Sequence, residues 1–144
     1  MPEVNKGRVG LLVAALRSGE YTQAKGRLHR VIRSEGRPPG WCCLGVACDI
    51  ASKFGLNLAR SIEGGCDEAF DGASAYLPPS VIDWYGFDGQ NPYLKLPEGC
   101  STQYGVAVPA ADLNDGGYTD AEGEKREAGF SQIADFFEAT YLKD

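Results

Sequence analysis

The residues of this chain most able to do chemistry lie in the block 41–49, which holds three of its five cysteines. Cys42, Cys43 and Cys48 lie in this block, and Asp49 directly follows the third of them. A cysteine near the N-terminus of a helix can have a lowered pKa and act as a nucleophile. A free cysteine is also among the residue types most often buried as small hydrophobes. The apolar neighbours in the block favour packing over catalysis, and both interpretations stay open.

A thiol nucleophile needs a base, and His29 is the single histidine of the chain. If Asn114 or Asp115 orients that histidine, Cys42 or Cys43 completes a Cys-His-Asn/Asp set for nucleophilic catalysis. The pair Asn114-Asp115 is also typical of an Asx-turn that caps a neighbouring helix. The sequence favours the turn, and a thiol-dependent hydrolase or transferase remains the alternative.

Neither a metal nor a cofactor is predicted. A structural zinc site uses four ligands in short paired spacings such as C-x₂-C. Cys42 and Cys43 are adjacent instead, and Cys66 and Cys100 each stand alone. The glycine pairs of the chain form neither a phosphate loop nor a dinucleotide-binding fingerprint.

Charge is distributed unevenly along the chain. Residues 1–60 carry ten Lys/Arg against four Asp/Glu, a net charge of +6, and residues 61–144 carry four against sixteen, a net charge of −12. We expect the two halves to fold together and compensate each other, with Asp49 paired to an arginine of the basic half. The alternative is a bipolar surface that steers a charged partner. Nucleic acid is not a predicted partner, because phosphate binding needs a net basic face.

Length and composition indicate one soluble domain spanning residues 1–144. The chain is 43% hydrophobic and 24% charged, as ordinary globular proteins are. No apolar run approaches the roughly 20 residues of a membrane span, and the first residues lack the regions of a secretory signal. An odd number of cysteines without the spread of a disulfide framework favours a reducing cytoplasm. The oligomeric state is not predicted.

Hydrophobic periodicity predicts the elements of the N-terminal half. Apolar residues at i, i+3, i+4 and i+7 from Val9 predict a helix over residues 5–18. Residues 26–33 are predicted to be extended and to form a hairpin with residues 41–43, through a turn at 34–40. The cysteine block then opens a buried helix that ends near Gly55.

The C-terminal half is predicted to contain more loops. We expect a long loop over 61–76, a short helix near 79–85, and one or two short strands within 91–108. A helical turn over 109–113 should precede a turn at 114–117, a mobile loop should occupy 118–126, and a last helix should span about 129–142. The predicted fold class is α+β, a mostly helical single domain with a small β-hairpin or short sheet.

Several short motifs occur in a fixed order, and together they cover most of the chain: Ala15-Leu16-Arg17-Ser18-Gly19, Cys42-Cys43-Leu44-Gly45-Val46, Cys48-Asp49, Leu77-Pro78 with Trp84, Leu113-Asn114-Asp115, and Phe130-x-x-Ile133-Ala134. This set resembles a family of small uncharacterised proteins encoded by tailed bacteriophages and prophages. The polar stretch between Asp115 and Phe130 is longer here than the short turn usual in that family. The resemblance implies a phage accessory protein in the bacterial cytoplasm and implies no reaction.

The leading prediction for function is a non-enzymatic phage accessory protein that binds a bacterial host protein. Its candidate contact residues are basic or aromatic: Arg27, Arg30, Arg33, Tyr93, Tyr104 and Tyr118. The alternatives are the thiol-dependent enzyme and an acidic mimic of nucleic acid built on the −12 half of the chain.

Overall fold

The computed structural model describes residues 3–33 and 36–143. Its first helix, α1, spans Lys6–Arg17 and buries the apolar residues that predicted it. The helix begins after Asn5, whose side-chain oxygen accepts a hydrogen bond from the Arg8 amide at 3.0 Å. It ends before Gly19, whose φ of 79° is the left-handed conformation typical of a residue after a helix. The predicted helix is confirmed.

Four short strands form the largest sheet: β1 (His29–Arg30), β2 (Gly40–Trp41), β3 (Arg60–Glu63) and β4 (Asp67–Phe70). Their order is β2-β1-β4-β3, and every neighbouring pair is antiparallel. The pairing of His29 with Trp41 confirms the hairpin predicted before the cysteine block. Two residues of the predicted turn, 34 and 35, lie outside the described residues.

The β3–β4 hairpin occupies the stretch where a long loop was predicted, so that prediction is wrong. All four residues of β3 are exposed, and the strand therefore lacks the alternation of buried and exposed residues that marks a half-buried strand. Its strand conformation depends on the ladder with β4, in which Ile62 lies opposite Glu68. Pairing between segments, rather than local pattern, decides the structure here.

Helix α2 spans Cys43–Lys53 and is buried from Cys43 to Ala51, which confirms the predicted buried helix. It lies directly against the backbone of Leu28, the residue before β1, because Gly45 has no side chain. A Cβ atom at position 45 would stand 1.7 Å from the Leu28 carbonyl oxygen, far inside van der Waals contact. The glycine of the Cys-Cys-Leu-Gly-Val motif is thus required by packing.

The rest of the chain alternates helices with short hairpins: α3 (Pro79–Tyr85), β5 (Tyr93–Lys95), β6 (Ala107–Pro109), α4 (Ala110–Gly116), β7 (Tyr118–Thr119), β8 (Lys125–Arg126), α5 (Phe130–Phe137) and a π-helical turn at Glu138–Leu142. The short helix near 79–85, the two strands within 91–108 and the terminal helix are confirmed. The predicted turn at 114–117 is wrong, because α4 continues to Gly116.

The predicted mobile loop over 118–126 is also wrong. These residues form the β7–β8 hairpin, in which Tyr118 lies opposite Arg126. Asp120 organises its turn, since its Oδ1 accepts hydrogen bonds from the amides of Glu122 and Glu124 and its Oδ2 binds Arg126 at 2.7 Å. A polar composition concealed a hairpin held by its own side chains.

The main core lies between α1, α2 and α5 and extends to α3 through aromatic side chains. Tyr85 is fully buried there, and its hydroxyl donates a hydrogen bond to the Ala47 carbonyl at 2.6 Å. Helices account for 36% of the residues and strands for 20%, and the strands lie in three small sheets. The fold is therefore a mixed α+β fold, and the prediction of a mostly helical domain is wrong because two hairpins were assigned to loops.

Candidate functional site

The thiols of the cysteine block are buried and not set up for nucleophilic attack. Cys42 is 3% exposed and Cys43 is fully buried. Burial raises the pKa of Cys42 to about 12 and the pKa of Cys43 well above its ordinary value. Both groups therefore stay protonated near neutral pH, whereas the nucleophile of a thiol enzyme is the thiolate.

His29 lies on a different face of the sheet from the cysteine that follows β2. Its ring stacks on Trp41 with centroids 3.5 Å apart, and its Nδ1 lies 2.8 Å from Glu68 Oε1. Successive side chains of an extended chain point to opposite faces, so Cys42 faces away from the stacked pair. The structure does not bring His29 to either predicted cysteine nucleophile.

Asn114 is 2% exposed and joins three segments of the chain. Its Oδ1 accepts hydrogen bonds from the Cys43 amide at 3.3 Å and from Gln23 Nε2 at 3.0 Å. Its Nδ2 donates to the Ala24 carbonyl at 2.8 Å. The residue therefore fixes α4 and residues 23–24 to the start of α2. It does not form an Asx-turn, and it does not orient a histidine.

Asp115 is exposed, and one of its two carboxylate oxygens accepts hydrogen bonds. Its Oδ1 accepts hydrogen bonds from the Gly26 amide at 3.1 Å and from Asn114 Nδ2 at 3.0 Å. The rest of the carboxylate faces a surface groove. Of the predicted catalytic residues, Cys42, Cys43, Asn114 and Asp115 are neighbours, but they lack the base that the set requires.

Asp49 pairs with an arginine of the basic half, as predicted. Its Oδ1 lies 3.0 Å from Arg60 Nη1, its Oδ2 lies 3.1 Å from Lys53 Nζ, and Tyr21 donates a hydrogen bond to it. Burial alone would raise the pKa of Asp49, but these three hydrogen bonds hold it below its ordinary value. Arg60 also binds Glu68, with Nε 2.7 Å from Oε2, so one arginine joins α2 to the sheet.

Ion pairs join the two charged halves, which confirms the predicted compensation. Arg17 lies 2.7 Å from Asp135, and Arg27 lies 3.5 Å from Asp67. These ion pairs neutralise part of the charge on which a bipolar surface depends.

The predicted contact arginines differ in accessibility. Arg30 is 4% exposed and donates to the backbone carbonyls of Lys25 and Pro38, so it is not available to a partner. Arg33 is exposed, and its Nη1 donates to the Gly36 carbonyl at 3.2 Å. Arg27 is half-exposed in its ion pair with Asp67.

A cleft of about 410 Å³ opens beside α4, and two of the three predicted tyrosines line it. Tyr104 comes from the turn before β6, and Tyr118 comes from β7. Asp112 and Asp115 line the cleft from α4, and Lys125 lines it from β8. Tyr93 is exposed on β5 and does not line this cleft.

Two further cavities lie near the cleft. A small one of about 50 Å³ shares Asp112 and Asp115 with it and is also lined by Cys42 and Tyr76. Tyr76 also lines a third cavity of about 360 Å³ along residues 71–79. We call the cleft and the small cavity together the α4 groove, because Asp112 and Asp115 line both.

The two carboxylates of the α4 groove form no ion pair with any described residue. Asp112 accepts a hydrogen bond from Asn91 Nδ2 at 3.2 Å, and its other oxygen lies 3.5 Å from the Tyr104 hydroxyl. An ionised carboxylate has about four acceptor sites, so each group retains capacity for a cation. Sequence reasoning missed Asp112 and Tyr76. The i, i+3 spacing of Asp112 and Asp115 becomes informative only once α4 is known to continue to Gly116.

Within the described part of the chain, no three His, Cys, Asp or Glu side chains are grouped to hold a metal ion. None of the described helices has the length and apolar character needed to cross a membrane.

A family model described as a domain of unknown function (DUF8296) matches residues 7–141. No curated protein and no solved structure matches the chain.

Proposed function

The chain belongs to the DUF8296 family, and we propose from its geometry that it is a binding protein without catalytic activity. In this proposal the α4 groove receives a basic segment of a bacterial host protein. The observation that carries it is the pair Asp112 and Asp115, two carboxylates that line both cavities of the groove and form no ion pair with a described residue.

The composition of the groove supports a protein partner. Tyr104 is 51% exposed and Tyr76 is 42% exposed, and tyrosine is enriched in the parts of interfaces that carry binding energy. An arginine or lysine side chain supplies the charge that complements the carboxylates, which favours specific association and a fast on-rate.

The proposal also accounts for the positions of the other candidate residues. A thiol enzyme would need an accessible thiolate beside His29, whereas burial keeps both thiols protonated and the histidine lies on another face. Within the acidic 120–127 segment, Asp120 is engaged by Arg126 and by its own hairpin, and Glu127 lies 3.8 Å from Lys25, so this segment does not present four free carboxylates together as an acidic mimic of nucleic acid would. The motifs that resemble phage and prophage proteins support a host protein in the bacterial cytoplasm as the partner.

The test is capture of partners from nuclease-treated bacterial lysate by the tagged full chain, read by mass spectrometry. We compare wild type with Asp112→Asn and Tyr104→Ser, which alter the groove at accessible side chains. Ile62→Ser is the matched control, because Ile62 is 52% exposed on β3 and does not line the groove. One stoichiometric partner should be captured by wild type and control and lost from both groove variants. Equal capture by all four proteins, or capture of no stoichiometric partner by wild type, would overturn the proposal.

A further inference from the structure

We infer that strand β3 is the interface of a weak dimer, in which β3 pairs antiparallel with β3 of a second copy of this chain. The pairing joins the two four-stranded sheets into one continuous sheet. The inference is independent of the proposed function, because β3 does not line the α4 groove.

The largest sheet has one covered edge and one free edge. At the β2 edge, the Trp41 amide donates to the Thr22 carbonyl at 2.8 Å, and the Trp41 carbonyl accepts from the Ala24 amide at 2.7 Å. At the opposite edge, residues 59–65 are all exposed, so no described segment covers β3. A sheet edge with unpaired backbone groups is a template for pairing with another strand.

The backbone groups on the free edge belong to Arg60 and Ile62. The Asp71 amide donates to the Ala59 carbonyl at 2.7 Å, so Ala59 points its carbonyl toward β4. Hydrogen-bonding groups alternate between the two sides of a strand, and Arg60 and Ile62 therefore direct theirs away from β4. No described residue forms a hydrogen bond with these backbone groups. Their alternating donors and acceptors match the backbone of an extended chain.

Strand β3 lacks the features that usually protect a sheet edge. It contains no proline, and its four residues pair with β4 without a bulge. Arg60 does not guard the edge, because its guanidinium turns back to Glu68 and Asp49. Ile62 is 52% exposed on the same strand. A β-branched apolar side chain on an open edge favours pairing with another strand.

The charges of β3 favour a second copy in antiparallel orientation. The strand begins with Arg60 and ends with Glu63, so it has a basic end and an acidic end. Antiparallel pairing places the basic end of one copy beside the acidic end of the other. Parallel pairing would place like charges side by side, which is destabilising.

One register uses both residues of the free edge. Arg60 lies opposite the partner's Ile62, and Ile62 lies opposite the partner's Arg60, so the two pairs exchange about four backbone hydrogen bonds. Ser61 then faces the partner's Ser61 across the two-fold axis. Each exposed Ile62 packs against the aliphatic part of the partner's Arg60. So short a strand buries less surface than a stable interface does, and the dimer therefore forms only at high concentration.

The first experiment is analytical ultracentrifugation of the full chain over a range of concentrations that extends to the millimolar. Wild type should shift from monomer to dimer as its concentration rises. Ile62→Pro should raise the dissociation constant of the dimer by at least about tenfold, because proline removes an edge N–H and its ring blocks the edge. Ile62→Ser keeps that N–H and should weaken the dimer less. Circular dichroism should show the same fold for all three proteins.

The second experiment tests the register by cross-linking. In Ser61→Cys the two introduced thiols face each other across the axis and should form a disulfide when oxidised with copper phenanthroline and oxygen. Glu63→Cys is the matched control: Glu63 lies opposite the partner's Ala59, so its two thiols are about 13 Å apart along the strand. We expect Ser61→Cys to cross-link at least about tenfold faster than Glu63→Cys or wild type, as measured on non-reducing gels.

Three results would contradict the inference: wild type that stays monomeric at the highest concentration, a dimer that a folded Ile62→Pro leaves unchanged, or equal cross-linking at positions 61 and 63. If Ile62→Pro does not fold, the cross-linking pair still decides the question. Asp112→Asn should dimerise as wild type does. Failure of the dimer therefore leaves the proposed function intact, and loss of host capture leaves the dimer intact.

Discussion

Replacing Asn114 with alanine tests whether this residue holds the fold together or serves a reaction. The side chain is 2% exposed and hydrogen-bonds the Cys43 amide and the Ala24 carbonyl. Both backbone groups belong to buried residues, and Asn114→Ala leaves them without this partner. Gln23 retains a second acceptor, the Ala128 carbonyl at 2.8 Å, and should be affected less.

The magnitude follows from the two backbone groups that lose their partner. An unsatisfied buried donor or acceptor costs about 1–3 kcal/mol, so two of them cost about 2–6 kcal/mol. An average cost of about 2 kcal/mol for each group places the expected loss near the middle of that range. We expect the free energy of unfolding to fall by about 3–4 kcal/mol, a large part of the 5–15 kcal/mol typical of a domain.

The assay is urea unfolding followed by circular dichroism, with Gln103→Ala as the matched control. Gln103 is an exposed amide that lines the cleft beside α4, and its truncation should change the free energy of unfolding by less than about 0.5 kcal/mol. A loss below about 1 kcal/mol for Asn114→Ala would refute the reasoning, because it would mean that the two backbone groups find other partners.

The remaining predictions concern the close packing, the thiols and the ion pairs. Gly45→Ala should unfold the protein or lower its free energy of unfolding by more than about 3 kcal/mol in thermal melts. Gly10→Ala on α1, which has open space around it, should raise the free energy of unfolding by about 0.5–1 kcal/mol. Similar melting temperatures for the two variants would contradict this prediction. Cys42 should react with a thiol reagent more slowly than the half-buried Cys66 in native protein, and at the same rate in urea, as judged by mass spectrometry of labelled peptides. Asp49 and Glu68, which bind Arg60, have pKa values below their ordinary ones in the folded protein. As the pH decreases, the unfolded state therefore takes up protons before the folded state does, and the free energy of unfolding should decrease below about pH 4. Arg60→Gln should make that fall shallower in acid titrations followed by fluorescence, and an unchanged slope would count against the network.

The sequence predicted the elements whose signal is local. Helix α1 has an apolar stripe, Asn5 caps its start, and Gly19 follows its end. In α2, the apolar residues recur at helical spacing, and every residue from Cys43 to Ala51 is buried. The sequence did not predict the β3–β4 hairpin, because its outer strand β3 is wholly exposed and acquires its structure by pairing with residues 67–70. Because β4 also pairs with β1, this one error removed half of the largest sheet.

The candidate site was predicted only in part. Tyr104, Tyr118 and Asp115 were named from the sequence, and all three line the α4 groove. Asp112 and Tyr76 were missed, because they contribute to the groove only after α4 and the 71–79 loop are placed beside each other. Arg30 was named for its charge, but its guanidinium is used to bind backbone carbonyls. A surface assembled from separate turns leaves no periodic signal in the chain.

The recognisable motifs of this chain hold the groove in place and do not line most of it. Gly45 allows α2 to lie against the backbone of Leu28, and Asn114 then fixes the start of α2 to α4 through the Cys43 amide. This junction sets the position of α4, whose other face carries Asp112 and Asp115 toward the groove. The motif residues are therefore of the types that close packing and buried hydrogen bonds require. In the proposed function the partner is recognised instead by residues such as Tyr104 and Asp112, which lie outside those motifs and outside the junction.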